Sequence, residues 1–220
     1  MMMGKVILPT FTPMIMNGST TITTSSSKMD KWFLSDARLH YVYPEAIQLL
    51  ASKHWTPLGI TQMVVEFLAP TRGVKVLDIG SGVGKFCLAA AYYKPGASFF
   101  GVEQRKDLTD HAESARVMLG LKNAYFINSN FTQVDFKQYD HFYFYNSFYE
   151  NLVDTDKIDE SLSYSWELYN LYNRFLCKKL DEMPSGTRLA TFHCLEDKIP
   201  SDYQLVESKV GCLLKFWLKI

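Results

Sequence analysis

Two carboxylates and three glycines are the residues of this sequence whose types and spacing could do chemistry. Asp78 ends an apolar run, and Gly80, Gly82 and Gly84 then alternate with small residues before a helix-like apolar pattern begins. Glycines at such positions let a ligand approach the backbone where a side chain would block it. The stretch therefore predicts a buried parallel strand that turns tightly into a helix beside a ligand.

The second carboxylate follows the next predicted strand. Residues 98–102 form an apolar run that ends in Glu103. A glycine-rich first turn, followed by an acid that closes the next strand, indicates a site for a nucleotide or nucleoside. A carboxylate suits a ribose because it can accept hydrogen bonds from both hydroxyl groups. The alternative interpretation is that Glu103 is only a helix N-terminal acid, favoured by the helix dipole.

Strand and helix patterns alternate through the rest of the chain and would position these side chains. Pro57 predicts the first position of a helix that Thr56 caps. Alternating units predict an α/β fold with a parallel, doubly wound sheet, and two final strands without a helix between them predict an antiparallel hairpin. The expected strands are 74–78, 98–102, 124–127, 141–145, 188–193, 203–208 and 213–219, and the expected helices are 84–93, 107–119 and 157–182.

The chain divides into three predicted parts. Residues 17–27 are of low complexity, so we expect a flexible N-terminal segment at 1–28. A helical extension should follow at 29–70, and the main domain should occupy 71–220.

Composition restricts the class of protein. Of 220 residues, 23 are Lys or Arg and 23 are Asp or Glu, which gives no strong signal for nucleic acid or for a membrane surface. The four cysteines and five histidines show no metal-ligand or disulfide spacing, so no metal site is predicted. No uninterrupted apolar run reaches transmembrane length, and we expect a cytoplasmic protein.

The stretch 76–86 resembles the first motif of class I S-adenosylmethionine-dependent methyltransferases. The last glycine of a dinucleotide fingerprint would fall at Lys85, and S-adenosylmethionine has no phosphate that would require it. The resemblance implies a Rossmann-like, seven-stranded, mostly parallel sheet with an antiparallel last strand, and S-adenosylmethionine as cofactor. The cofactor-binding residues that it implies are Thr56, Asp78, Gly80, Ser81, Gly82, Gly84, Glu103, Asn130 and Phe131.

The resemblance also implies a role for each part of this set. Asp78 and the backbone of 80–84 would hold the methionine end of the cofactor, with Thr56, Trp55 and His54 closing over it. Glu103 would bind the ribose. At the end of the third strand, Asn130 would accept a hydrogen bond from the adenine amine and Phe131 would cover the ring. This position is usually acidic in the family, and the alternative is a loop asparagine beside a core phenylalanine.

The acceptor side is predicted at 146–149, after the fourth strand. The sequence Asn-Ser-Phe-Tyr resembles a relaxed Asn-Pro-Pro-Tyr/Phe motif of amino-group methyltransferases. It is still more similar to the Asn-Asn-Phe segment of non-SET histone-lysine methyltransferases of the disruptor-of-telomeric-silencing type, a likeness that spans about 55–150. The oxygen of the Asn146 side chain would orient the N–H groups of an amine, and Tyr145, Phe148 or Tyr149 would add cation–π support. Core packing is the alternative for the aromatic residues.

These patterns predict a methyltransferase that transfers a methyl group in line to a nitrogen of a protein lysine or other amine. An acidic rim at 150–160 would attract a basic protein or a polyamine. The alternative is that these acids only belong to the first turn of a helix. Two alternatives remain open. One is a nicotinamide-dependent oxidoreductase, and the other is a non-catalytic module that binds S-adenosylmethionine or a partner.

Overall fold

A seven-stranded sheet lies at the centre of the molecule. The computed structural model describes residues 30–51, 55–152, 157–194 and 196–220. The strand order is β3-β2-β1-β4-β5-β7-β6, with parallel pairs through β5 and antiparallel pairs on both sides of β7. The predicted fold class, including its antiparallel last strand, is confirmed. The strands are β1 Lys75–Ile79, β2 Ser98–Glu103, β3 Ala124–Asn128, β4 His141–Phe144, β5 Arg188–Phe192, β6 Tyr203–Lys209 and β7 Leu214–Lys219.

Helices cover both faces of this sheet. Alternate strand residues enter opposite apolar clusters, with Val76 and Tyr143 on one face and Leu77 and Phe142 on the other. Helices α3, α4 and α5 pack on the first face and α6 packs on the second. The helices are α1 Asp36–His40, α2 Glu45–Gln48, α3 Leu58–Leu68, α4 Lys85–Tyr93, α5 Lys106–Leu119 and α6 Trp166–Asp181.

Helix α6 is shorter than the sequence pattern predicted. The predicted helix 157–182 begins only at Trp166, because Ser165 adopts an extended conformation and its hydroxyl accepts a hydrogen bond from the N–H of Leu168. The preceding residues, 157–164, form an irregular segment. A hydrogen bond within this segment stabilises it, since the hydroxyl of Tyr164 donates to the carbonyl oxygen of Asp159 at 2.8 Å.

The start of α3 also differs from the prediction. Pro57 is the cap residue, and the first N–H of the helix, that of Leu58, donates to the Asp36 carboxylate at 3.0 Å. A side chain from α1 therefore satisfies the helix end that Thr56 was expected to cap. The hydroxyl of Thr56 instead shares a hydrogen bond of 2.9 Å with the hydroxyl of Tyr143.

The N-terminal part of the described chain packs against the sheet domain. Phe33 stacks on Tyr92 with ring centroids 4.0 Å apart, and the Tyr43 hydroxyl donates to the carbonyl oxygen of Val83 at 3.0 Å. The domain boundary at residue 70 stays a prediction, and residues 1–28 lie outside the described ranges. None of the helices seen in those ranges combines the length and the apolar character that crossing a membrane requires.

Candidate active site

A cavity of about 630 Å³ opens at the carboxyl ends of the central parallel strands. Strands β1 and β4 are neighbours there although two other strands separate them in sequence, and such a switch point is where α/β sheets bind ligands. The cavity brings together most of the predicted site: Thr56, Asp78, Gly80, Ser81, Gly82, Glu103, Phe131, Asn146 and Tyr149. Gly84 and Asn130 do not belong to its lining.

The three glycines of the loop have different surroundings. All have positive φ angles of 77°, 54° and 74° in chain order. A Cβ atom on Gly80 would lie 2.4 Å from Ser147, and one on Gly84 would lie 2.3 Å from the ring of Phe126. A Cβ atom on Gly82 would meet nothing within 4 Å. Gly80 and Gly84 are therefore required by packing, whereas Gly82 faces the open space that a cofactor needs.

This difference predicts separate consequences for two substitutions. Gly80→Ala should lower the free energy of unfolding by about 1–3 kcal/mol, because the loop and Ser147 must move apart. Gly82→Ala carries only the strain of its positive φ, about 1–2 kcal/mol, but should weaken S-adenosylmethionine binding by roughly tenfold or more. Denaturant unfolding and calorimetric titration of both variants measure the two effects. If both variants lost the same affinity under conditions in which both are folded, the assignment of Gly82 to the cofactor site would be contradicted.

Glu103 is buried at the end of β2 and holds the glycine loop in place. One carboxylate oxygen accepts a hydrogen bond from the N–H of Gly82 at 3.1 Å, and the other accepts from the N–H of Arg105 at 2.9 Å. Burial raises the pKa of Glu103, and these two N–H groups and the Arg105 guanidinium act in the opposite direction. A carboxylate has about four acceptor positions, so capacity for ribose hydroxyls remains.

Arg105 joins the cofactor side of the cavity to the segment after the acceptor motif. Its buried guanidinium lies 3.5 Å from Glu103, 3.3 Å from Asp159 and 2.5 Å from Glu150. It also donates to the hydroxyl of Tyr164 at 2.7 Å. Two acids of the predicted rim are thus paired with an arginine inside the protein, and Asp154 and Asp156 lie outside the described residues. Glu150 and Asp159 are therefore engaged by Arg105, whereas Glu160 is exposed.

Asp78 is buried below the glycine loop. Its carboxylate lies 3.7 Å from the thiol of Cys87, which donates to it. Burial raises the pKa of Asp78 to about 8, and the charge of Glu103 acts in the same direction. The free protein therefore holds Asp78 largely protonated at neutral pH.

The raised pKa predicts a pH dependence of cofactor binding. S-adenosylmethionine carries positive charge, which favours the ionised carboxylate, so binding near pH 7 should release a proton from Asp78. Affinity should rise by roughly up to tenfold per pH unit below about pH 8 and level off above it. Calorimetry in buffers of different ionisation enthalpy counts the proton, and Asp78→Asn should abolish this dependence. A wild-type affinity that is the same at about pH 6 and about pH 8 would contradict this prediction.

The free protein should show the opposite trend. Because the folded-state pKa of Asp78 lies above its ordinary value of 3.8, the unfolded chain gives up this proton more readily. The contribution of Asp78 to stability therefore falls as the pH rises from about 4 to about 8.

The predicted adenine end is only partly as expected. The Asn130 side-chain oxygen accepts from the N–H and the hydroxyl of Thr132, and its amide nitrogen donates to Gln104 and Tyr172. Its hydrogen-bonding groups are thus engaged within the protein, as in the alternative of a loop asparagine. Phe131 does line the cavity, stacked on Phe148 with ring centroids 4.9 Å apart.

The predicted methionine end of the site lies beside residues of the N-terminal part of the chain. Thr56 and Tyr143 line it together, and Phe86 stacks on Tyr143 at 4.0 Å. Lys85 points away, and its buried side chain forms an ion pair with the partly exposed Asp36. Lys85, which stands where a dinucleotide site needs glycine, thus fastens α1 to the helix that follows the glycine loop. His54, expected here, lies outside the described residues.

The acceptor side contains both predicted catalytic residues. Asn146 follows β4 with a φ of 38°, and its carbonyl oxygen accepts from the N–H of Tyr149 at 3.0 Å. Within the described ranges no hydrogen bond engages the Asn146 side-chain amide, which lines the cavity. Tyr149 is half exposed at the same wall. Their catalytic roles stay predictions.

Arg105, Tyr172 and His193 are among the residues that line this cavity and that sequence reasoning missed. Arg105 stands two residues after Glu103, where an arginine beside a predicted buried acid was a usable signal. His193 follows the end of β5 as Asn146 follows the end of β4, but its position became visible only once the strands were paired. In the described ranges no group of three or more His, Cys, Asp or Glu side chains could hold a metal ion.

Comparison with known proteins agrees with this geometry. Residues 70–162 match a family model described as a methyltransferase domain. A tRNA (guanine-N(7)-)-methyltransferase from Synechococcus sp. (strain JA-3-3Ab) is 46% identical over 54 residues, which are 24% of this chain and 23% of that protein. The chain thus matches about a quarter of the length of this relative.

Two solved structures share the fold. TrmN from Thermus thermophilus superposes with a TM-score of 0.56 at 18% identity, over 79% of this chain and 52% of that one. An RNA methyltransferase from Salinibacter ruber, in complex with S-adenosyl-L-homocysteine, gives a TM-score of 0.54 at 15% identity, over 75% and 93% of the two chains. The similarity at this level of identity concerns the fold.

These findings correct the predicted partners. The prediction of a basic protein as the candidate acceptor, with no strong nucleic-acid signal, is wrong, because relatives of the chain are named as tRNA methyltransferases. The reported matches also give no support to the histone-lysine methyltransferase resemblance or to a nicotinamide-dependent oxidoreductase. Residues 70–162 thus resemble a methyltransferase domain, and the sheet has the strand order of the class I fold.

Proposed function

We propose that this protein transfers the methyl group of S-adenosylmethionine to a nitrogen of a nucleobase in RNA. The observation that carries the proposal is the acceptor wall: Asn146, whose side-chain amide has no hydrogen bond within the described residues, and the half-exposed Tyr149 line the same cavity as the predicted cofactor residues. The names of the tRNA methyltransferase relatives support RNA as the substrate class.

The wall has the two features that recognition of a nucleobase requires. An exposed aromatic ring offers a face on which a base can stack, and stacking is the common way in which proteins hold unpaired RNA bases. An amide offers both a donor and an acceptor to the edge of the base. Methyl transfer is an in-line displacement, so holding the base in this position supplies most of what the protein must contribute.

The charge balance indicates what kind of RNA contact to expect. The chain has equal numbers of acidic and basic residues. It therefore lacks the excess of lysine and arginine with which proteins contact many phosphates along an RNA backbone. Recognition should therefore depend more on the base in the cavity than on the RNA backbone. An extruded or single-stranded base fits a pocket of this kind.

A labelling experiment tests the proposal. Purified protein is incubated with methyl-tritiated S-adenosylmethionine and total RNA, and separately with protein extract. Label should enter material that ribonuclease releases and protease does not. Asn146→Gly protein, purified in parallel, controls for contaminating methyltransferases. Label found only in protein, or no label above that of the control, would show the proposal to be wrong.

A further inference from the structure

Two non-glycine residues in the left-handed region follow neighbouring strands at one wall of the cavity. Phe144 of β4 pairs with Thr191 of β5, and two residues beyond each lie Asn146 and His193. Their φ angles are 38° and 55°, and both residues line the cavity. Adjacent strands are about 4.8 Å apart, so this register places Asn146 and His193 next to each other at the carboxyl edge of the sheet.

A positive φ raises the conformational free energy of a residue other than glycine, and contacts with the surrounding structure must offset this increase. Histidine and asparagine adopt positive φ more often than most residues, yet the conformation is uncommon for either. Strained residues of this kind concentrate at binding and catalytic sites. At His193 the conformation is held by its N–H, which donates to the carbonyl oxygen of Leu213 at 2.9 Å. The chain thus turns here and keeps the imidazole at the cavity.

The imidazole is suited to accept a hydrogen bond or a proton. Partial burial lowers the pKa of His193 below its ordinary value of 6.5, so its ring is neutral at neutral pH and one nitrogen carries a free electron pair. Phe192 and Tyr145 contact the ring, with centroids 4.4 Å and 5.7 Å away. Burial raises the pKa of Tyr145, so of these neighbours none changes charge near pH 7. His193 is exposed on its other side and can pass a proton to water.

We infer that His193 is a catalytic residue paired with Asn146, and that the acceptor is an amino group of a nucleobase. This inference rests on the proposed function. An amino group has two N–H bonds, which the Asn146 side-chain oxygen and a His193 ring nitrogen accept, and its electron pair then points at the methyl group. A ring nitrogen carries at most one N–H, so it cannot donate to both of these acceptors.

The reaction balances with these groups alone. The amino nitrogen forms a bond to the methyl carbon while the carbon–sulfur bond breaks, and the electron pair of that bond stays on sulfur. The nitrogen is then positively charged and gives one N–H proton to the His193 imidazole. The imidazolium returns the proton to solvent.

Two variants that tolerate the left-handed backbone test the inference. His193→Gly removes the ring and should lower kcat about 100-fold without changing the Kd of S-adenosylhomocysteine. His193→Asn keeps an acceptor oxygen and should restore the KM for RNA, but not kcat. In the wild type, kcat at saturating cofactor should rise through the pKa of His193 and then level off, and both variants should lack this rise. Unchanged kcat in His193→Gly would overturn the assignment.

Mass spectrometry of the labelled nucleosides tests the acceptor group. The expected product carries the methyl group on an amino nitrogen. A product methylated on a ring nitrogen overturns the inference and leaves the proposed function standing. A wild-type protein that labels no RNA overturns the proposed function itself, so the two failures are distinguishable.

Discussion

Asn146→Gly is expected to lower kcat for methyl transfer about 100- to 1,000-fold, a loss typical of removing one oriented hydrogen-bonding group from an active site. The side-chain amide lines the cavity and is not engaged within the described protein, so its function should be toward a ligand. Glycine is chosen because the backbone at this position has a φ of 38°, which glycine adopts without strain. The measurement is steady-state kinetics with labelled cofactor and RNA.

Three controls separate catalysis from folding in this experiment. The Kd of S-adenosylhomocysteine should stay within about threefold of the wild-type value, because none of the predicted cofactor-binding residues follows β4. Asn146→Asp keeps the acceptor oxygen and should retain more activity than Asn146→Gly. Asn146→Ala should behave as the glycine variant does, with an additional loss of stability from its positive φ. Parallel losses of cofactor affinity and kcat would exclude a role confined to the acceptor.

The sequence was sufficient for the parts of the site that depend on local backbone geometry. The glycines after Asp78 and the acid at Glu103 could be placed because a strand end, a tight turn and the next strand end follow directly from residue order. The terminal hairpin was equally local. The same reasoning failed at Asn130, where the predicted strand end is correct but the side chain caps the short 3-10 helix Phe131–Gln133.

Contacts between distant residues could not be read from residue order. Lys85 was recognised only as a missing glycine, and its partner Asp36 lies in a helix outside the predicted main domain. The acids Glu150 and Asp159 were interpreted as a solvent-facing rim, since the sequence does not show that Arg105 is buried among them. Carboxylates that pair with a buried cation are not available to attract a positively charged partner from solution.

Glu103→Gln is expected to weaken S-adenosylmethionine binding about 100-fold, near 3 kcal/mol, which is the size of a charged hydrogen bond lost in a buried site. The amide nitrogen of glutamine cannot accept a hydrogen bond, so either Gly82 or Arg105 loses its acceptor for a backbone N–H. It also offers the ribose one acceptor oxygen in place of two. Calorimetric titration, well below the unfolding temperature of the variant, measures the change.

Glu113→Gln is the matched control for this substitution. Glu113 is an exposed acid of α5 that pairs with Arg116 one turn away. Its loss should change neither the free energy of cofactor binding nor the free energy of unfolding by more than about 0.5 kcal/mol. Because Arg105 keeps Glu150 and Asp159 in Glu103→Gln, the buried guanidinium is not left uncompensated. Loss of affinity should therefore exceed loss of stability. A Kd for Glu103→Gln within the range of the Glu113→Gln control would show that the carboxylate braces the glycine loop without holding the ribose.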